Sequence, residues 1–436
     1  MTEEHSLVSN QNRYTKSLEH LVEAEKLIPL GAQTFSKSTK TLPPGLAPLY
    51  ATHASGCRIW DVDGNEYIDL ISGLASINLG YADPDIIAAV TAQLSAGVTI
   101  SLSHPIELEV SRQIVELVPS AEMVRFGKNG SDATTAAIRI SRGFTGRDHV
   151  VVCGYHGWQD WFIGVMPSRA LGVPEAFSDL IHPVPYNDLG AMEAELMKNS
   201  TAAIMMEPMT TAWPEAGYLE GVRSLADKYG AILVFDEMVT GFRFANGGAQ
   251  EYFGVTPDLS AFGKGIANGF PLSAIVGRAD LMKVLETAFI SGTFGGELLS
   301  LTAAHVVLNR IATTGVIAKI AATGETLRER VQEVIDRVGA QDIVSLSGHP
   351  AWIFLMWNPD QPDLADLKNL FMQEMSRNGV LMIATHNVTA AHDSAALDVI
   401  VEAYSRTLEI VKRAAVTGTA RSLLDMEVAE LSPRVR

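Results

Sequence analysis

A chain of 436 residues exceeds what one hydrophobic core can organise, since single cores stop growing at roughly 250–300 residues, so a large and a smaller domain are expected. Hydrophobic residues at 47% and charged ones at 19% exclude disorder along the whole length. With 50 acidic against 33 basic residues the net charge is −17, a surface that repels nucleic acid and anionic membrane.

Residues 1–12 are polar, lack the apolar stretch of a signal peptide, and read as disordered. Leu18, Leu21, Val22, Leu27 and Ile28 then mark one face of a helix that Pro29 and Gly31 close. Residues 57–68 read as a hairpin turning at Asp63-Gly64. Asp61-x-Asp63 also begins like a calcium loop, but its glycine comes too early and Ser72 stands where such a loop needs glutamate. The longest uncharged stretch, 86–106, contains Gln93, His104 and Pro105 and is a poor membrane span. From about 120 to 280, apolar runs at 123–126, 150–153, 202–206, 231–235 and 272–276 alternate with helical stretches such as 133–142 and 219–228. That alternation predicts βαβ units in a mostly parallel sheet, and the unbroken runs predict strands covered on both faces. In the last hundred residues, Leu327, Val331 and Ile335, then Leu397, Ile400, Val401, Tyr404 and Leu408, mark helices, with a short strand at 352–357. The division expected is an N-terminal segment 1–60, a large α/β domain 61–325, and a small α+β domain 326–436 joined by the N-terminal segment. Cys57 and Cys153 form no disulfide framework and no zinc spacing, which predicts a cytoplasmic protein with no metal, and the poor membrane span at 86–106 predicts a soluble one.

Ligands of open parallel sheets bind beyond the carboxyl ends of the strands. The residues just after each run are therefore informative: Gly127-Lys128-Asn129-Gly130-Ser131-Asp132, Gly154-Tyr155-His156-Gly157, Glu207-Pro208, Asp236-Glu237, and then Gly263-Lys264-Gly265. Gly130 and Ser131 open a helix, whose free N–H groups suit a phosphate, although taken alone an ordinary cap by Ser131 or Asp132 is the favoured explanation. Asp236 projects from a buried strand end, where a carboxylate can hold a proton on a ring nitrogen or bind a metal. Lys264 among glycines is placed for a nucleophilic amine. The spacing Gly263, Gly265, Gly269 also offers a loose dinucleotide loop, though it comes late in the βα series. Tyr155 suits stacking on a planar ring; His156 alone reads as a packed histidine. Together these residues match what pyridoxal phosphate requires: a phosphate cradle, a stacking aromatic, an acid and an amine.

In these motifs the chain resembles the class III, fold-type I, pyridoxal-phosphate aminotransferases, from about residue 18 to 412, and most of all the branch around glutamate-1-semialdehyde 2,1-aminomutase. The segments that carry the resemblance are residues 60–67, Asn129-Gly130-Ser131-Asp132-Ala133, Tyr155-His156-Gly157, residues 236–243, Pro257-Asp258-Leu259 and Gly263-Lys264-Gly265. The resemblance implies a large, mostly parallel-sheet domain sandwiched by helices and a smaller α+β domain. It implies Lys264 as the Schiff-base lysine and proton carrier, and Asp236 as the partner of the pyridine nitrogen. Met238 and Tyr155 would flank the ring, Gly130 and Ser131 would hold the phosphate, and Glu207 would stand at the polar edge. Thr293 would reach the phosphate of a neighbouring subunit, which implies a homodimer with shared sites. The expected partners are a small-molecule amino donor and a carbonyl acceptor. Lys37 stands where the aminomutase has a carboxylate-gripping arginine, and Thr385-His386-Asn387 where many ω-aminotransferases place another. Residues 128–132 and 157–161 look similar to enzymes that aminate sugars. The expected activity is thus amino transfer to an aldehyde or ketone such as a sugar aldehyde, with intramolecular transfer on a semialdehyde as the alternative.

Overall fold

Seven strands form the main sheet of the computed structural model, which describes residues 13–426. Their order is Met123–Gly127, Ser273–Gly277, Leu259–Phe262, Ile232–Asp236, Thr201–Met206, His149–Cys153 and Ile181–Pro183. All run parallel except Ser273–Gly277, which is antiparallel to both its neighbours. The unbroken apolar runs have a direct cause. Val150, Val152, Met205 and Val234 pack on one side with the helix Gly130–Thr145. Val151, Cys153, Ile204, Met206, Leu233 and Phe235 pack on the other with the helices Leu189–Lys198 and Tyr218–Tyr229. Successive side chains on a strand point to opposite faces, so a strand covered twice must be apolar at every position. Thr201–Met206 is buried throughout. Each Ile or Met it buries stabilises the sheet by roughly 1.5–3 kcal/mol.

The remaining strands belong to two smaller sheets. Ala51–Ser55, Arg58–Asp61 and Glu66–Asp69 form an antiparallel meander, and Val380–Leu381 joins its edge in parallel. Val344–His349, Trp352–Trp357 and Thr385–Asn387 form an antiparallel three-stranded sheet against the helices Val316–Val338 and Ser394–Thr417. Two expected boundaries do not fall on linkers. The hairpin crosses residue 60, and the helix Val316–Val338 runs unbroken through 325. One apolar cluster extends from Ile68 through Phe262 and Leu301 to Leu408, so the core is continuous across both positions.

The helix Thr15–Leu27 ends where Pro29 predicts, but Val22 and Leu27 on its apolar face are 59% and 83% exposed. Asp63 accepts backbone N–H groups of Lys16 and Ser17 at the start of this helix, and Asp61 accepts the Tyr67 hydroxyl at 2.8 Å, which accounts for both acids of the supposed calcium loop. The polar segment 1–12, expected to be disordered, lies outside the described residues. Among the described residues, no single helix is long and apolar enough to cross a membrane.

Candidate active site

The register of the main sheet brings its chemistry to one edge. Cys153 pairs with Met206, Met206 with Phe235, and Asp236 with Ala261. The loops that begin after Cys153, Met206, Asp236 and Phe262 therefore emerge side by side. Asp236 is only 4% exposed at this edge. One carboxylate oxygen, Oδ2, accepts from His156 Nδ1 at 2.8 Å, and Oδ1 accepts the Met238 N–H at 3.1 Å. His156 is 2% exposed, its Nε2 has no hydrogen-bond partner, and Nδ1 is the ring nitrogen that donates to Asp236. Phe162 meets the His156 ring edge-on at 5.1 Å and the Tyr155 ring at 5.6 Å, so one side chain braces both. His156 is thus the orienting partner of Asp236, a role that sequence did not single out.

Lys264 follows the strand Leu259–Phe262 and opens a 3-10 turn, Lys264–Ala267, with φ 43°. Left-handed backbone costs a side-chain-bearing residue about 1–2 kcal/mol, so this lysine is held against its own preference by its surroundings. The flanking glycines are set by space. A Cβ on Gly263 would lie 2.8 Å from Met238 Sδ, and one on Gly265 would lie 2.4 Å from Asn78 Nδ2. The short turn does not open a long helix, which removes the dinucleotide alternative.

Gly130 and Ser131 form the first turn of the helix Gly130–Thr145. The cap belongs to Asp132, whose Oδ2 accepts the N–H groups of Lys128 and Asn129. Ser131 is buried, and its Oγ accepts the Trp158 N–H at 3.3 Å. A Cβ on Gly130 would lie 2.8 Å from Met238 Sδ, and one on Gly157, which has φ 107°, would lie 2.3 Å from Ser131 Oγ. Met238 therefore touches both the helix start and the backbone beside Lys264, while its own N–H is tied to Asp236.

Glu207 accepts the Tyr155 N–H at 2.8 Å and so locks two neighbouring loops together. Burial pushes the Tyr155 phenol above its ordinary pKa, Arg169 opposes the shift and Asp236 adds to it. Glu237 is fully buried and accepts the N–H groups of Ala249 and Gln250 and the Thr240 hydroxyl, so it anchors the helix Ala249–Phe253. Arg243, also fully buried, donates to the carbonyls of Ala75, Ile77, Ala351 and Val388, and burial lowers its pKa to about 10.

Thr293 lies on the outer side of the loop and helix start that carry Gly130 and Ser131, in a hollow that Asp132 and Ala133 also line. It is exposed and lines that hollow, of about 620 Å³, with Gly127, Lys128, Phe289 and Phe294. Lys128 pairs at 3.0 Å with Glu297, which also caps the helix Leu298–Thr314 and so holds the Thr293 segment in place. Lys37 is exposed and its charge acts on the buried Asp69. From the same 3-10 segment, Phe35–Lys37, the Phe35 ring lies 5.1 Å beneath the Arg169 guanidinium. His386 is buried, bonded to Tyr404 Oη at 2.7 Å, and Asn387 donates to the Ile71 carbonyl, so that stretch serves packing.

Pyridoxal phosphate fits these residues. Asp236 keeps free lone pairs beyond its two accepted bonds, the N–H groups of Gly130 and Ser131 have no acceptor within their helix, and Lys264 brings an amine. The close approaches at Gly130, Gly157 and Gly263 leave no room for a Cβ. Among the described residues no group of three His, Cys, Asp or Glu side chains is arranged to hold a metal ion.

Comparison with known proteins agrees. The Aminotransferase class-III family profile matches residues 43–414. The 3-aminobutyryl-CoA aminotransferase of Cloacimonas acidaminovorans is 34% identical over 414 residues, covering 92% of this chain and 98% of that one. The glutamate-1-semialdehyde 2,1-aminomutase of Syntrophobacter fumaroxidans is also 34% identical, over 89% of this chain and 96% of that one. Among solved structures, the FumI protein of Sphingopyxis sp. MTA144 in its PLP internal aldimine form superposes with a TM-score of 0.85 at 28% identity, covering 92% of this chain and 98% of that one. The chain belongs to the class-III aminotransferases, and it is a transaminase that works with pyridoxal phosphate.

Proposed function

We propose that this enzyme moves an amino group from a small-molecule donor to an aldehyde or ketone acceptor, a sugar aldehyde among the candidates, with Lys264 as the covalent anchor of the cofactor. When bound, the cofactor supplies an aldehyde and an electron-withdrawing ring. Lys264 brings the amine and afterwards carries the proton. Asp236, aimed by His156, holds a proton on the ring nitrogen. Gly130 and Ser131 bind the phosphate at the helix start, with Met238 and Tyr155 on the two ring faces. Glu207 holds the Tyr155 loop at the polar edge. The observation that carries this reading is the role of Met238: its thioether meets the backbone at both Gly130 and Gly263, and its N–H is bonded to Asp236.

We assign Thr293 to the phosphate of a second subunit, because it is exposed on a surface where Phe289 and Phe294 are 81% and 57% exposed. The working unit is then a homodimer, and two buried, free cysteines suit the cytoplasm. The test is Lys264→Ala. It should abolish turnover and the covalent adduct trapped by borohydride; an adduct retained in the variant refutes the assignment. The second reading, intramolecular transfer, rests on the aminomutase relative. Turnover of a single amino-aldehyde without any added donor would establish it.

A further inference from the structure

Arg169 sits in the irregular stretch between the short helices Asp160–Ile163 and Glu175–Ser178. Two turns lead to it from the aromatic brace of the site: the Met166 N–H donates to Ile163, and the Arg169 N–H to Met166 at 2.8 Å. Its guanidinium lies 5.1 Å above the ring of Phe35, which is itself 45% exposed. Stacking on a ring face fixes the plane of the fork while leaving its edge donors free. Among the described residues the Arg169 side chain joins no ion pair and donates no hydrogen bond. Other arginines of this acidic protein found carboxylates: Arg223 takes Asp227 and Asp258, and Arg310 takes Asp83 and Asp85. Arg169 also lies within electrostatic reach of the Tyr155 hydroxyl, as Asp236 does.

We infer that Arg169, laid on Phe35, is the anion clamp of the substrate site: it grips a carboxylate or phosphate on the donor or acceptor. This rests on the proposed transaminase reaction and deepens it, because the substrate becomes a charged one. Absence of the arginine expected in the N-terminal loop then does not imply an uncharged acceptor. The cation arrives from another loop and stands over that same N-terminal segment.

The test is calorimetric titration of the holoenzyme, whose phosphate cradle is filled, with succinate and separately with inorganic phosphate. Arg169→Met and Arg169→Lys are compared with the unaltered enzyme. For the anion that fits, Arg169→Met should weaken binding about ten-fold or more, with Arg169→Lys in between because a point charge lacks the fork. Dependence with succinate identifies carboxylate substrates, and dependence with phosphate identifies phosphorylated ones. If Arg169→Met binds both anions as the unaltered enzyme does, or if that enzyme binds neither, the inference is overturned. The visible colour of the same samples separates the two levels. A protein that stays colourless after added pyridoxal phosphate, with no adduct trapped by borohydride, refutes the cofactor assignment, whereas one that takes up the cofactor but shows Arg169-independent anion affinity refutes only the clamp.

Discussion

Acid should unfold this protein through three histidines that the fold keeps neutral. His349, His386 and His392 are each 1–2% exposed, and burial lowers the pKa of each to about 4 from 6.5. Geometry agrees, because each ring accepts a hydrogen bond through a nitrogen that protonation would convert to a donor. His349 Nδ1 accepts the Ala351 N–H, His386 Nε2 the Tyr404 hydroxyl, and His392 Nδ1 the Thr389 N–H. The folded-state pKa lies below the unfolded one, so as pH falls from 6.5 the unfolded chain binds these protons first. Stability is fully present above 6.5 and is lost as pH falls toward 4. Three extra protons in the unfolded state give a slope of about 4 kcal/mol per pH unit in that window, or about 3 kcal/mol per histidine in all. Asp69 and Glu237 act with the opposite sign. Burial raises both, so the folded state takes up their protons first as pH falls and the net slope becomes shallower. The discriminating assay is equilibrium urea unfolding of the apoprotein at several pH values, for the unaltered chain and for His386→Phe. Removing one histidine should reduce the slope by about 1.4 kcal/mol per pH unit whatever it does to stability at neutral pH. An unchanged slope would falsify the argument.

Other consequences concern the site and its frame. His156→Phe removes a buried donor to Asp236 worth about 1.5–3 kcal/mol, so kcat should fall roughly 10- to 100-fold with the cofactor retained; a change within two-fold contradicts the orienting role. Gly157→Ala forces a methyl onto Ser131 Oγ at a positive φ, so cofactor affinity measured by dialysis should drop at least about ten-fold, and unaltered retention would show that Ser131 is not part of the cradle. Arg243→Met strips the donors from four buried carbonyls and should cost about 3–5 kcal/mol, seen as a lower Tm; an unshifted Tm would mean that these carbonyls find other partners.

Much of this was legible from the chain because burial writes itself into composition. Strands covered on both faces must be apolar at every position, so four of the five runs marked buried strands and the residues after them marked the sheet's edge. The remaining run, in Met123–Gly127, is instead an outer strand with Arg125 in it and Met123 39% exposed, so it is not covered on both faces. Two strands escaped. Leu259–Phe262 is four residues long, and Ile181–Pro183 is an edge strand that ends in proline. The run at 272–276 does form a strand, but an antiparallel one, and local pattern does not distinguish direction. The pairing of Glu66–Asp69 with Val380–Leu381 joins residues some three hundred positions apart, beyond any window of periodicity. His156 was visible but ambiguous, since only the fold shows that the residue after Tyr155 turns back onto Asp236.

The substrate side illustrates a deeper asymmetry. Residues placed to hold the cofactor stand at strand ends and a helix start, where backbone geometry is shared by every member of a fold, and a Cβ on the glycines among them would lie under 3.0 Å from a neighbour. Residues placed to meet the substrate, Phe35 and Arg169, stand in irregular segments joined only by stacking. Such loops change without disturbing the sheet. Two relatives of equal identity to this chain, one named for a coenzyme A thioester and one for a semialdehyde, show how far chemistry diverges above a constant floor. A cation moved from one loop to another preserves the charge that meets a substrate while changing its distance from the reacting carbon. On the proposed clamp, selectivity follows from where Arg169 stands on its aromatic support, more than from the motifs that identify the family.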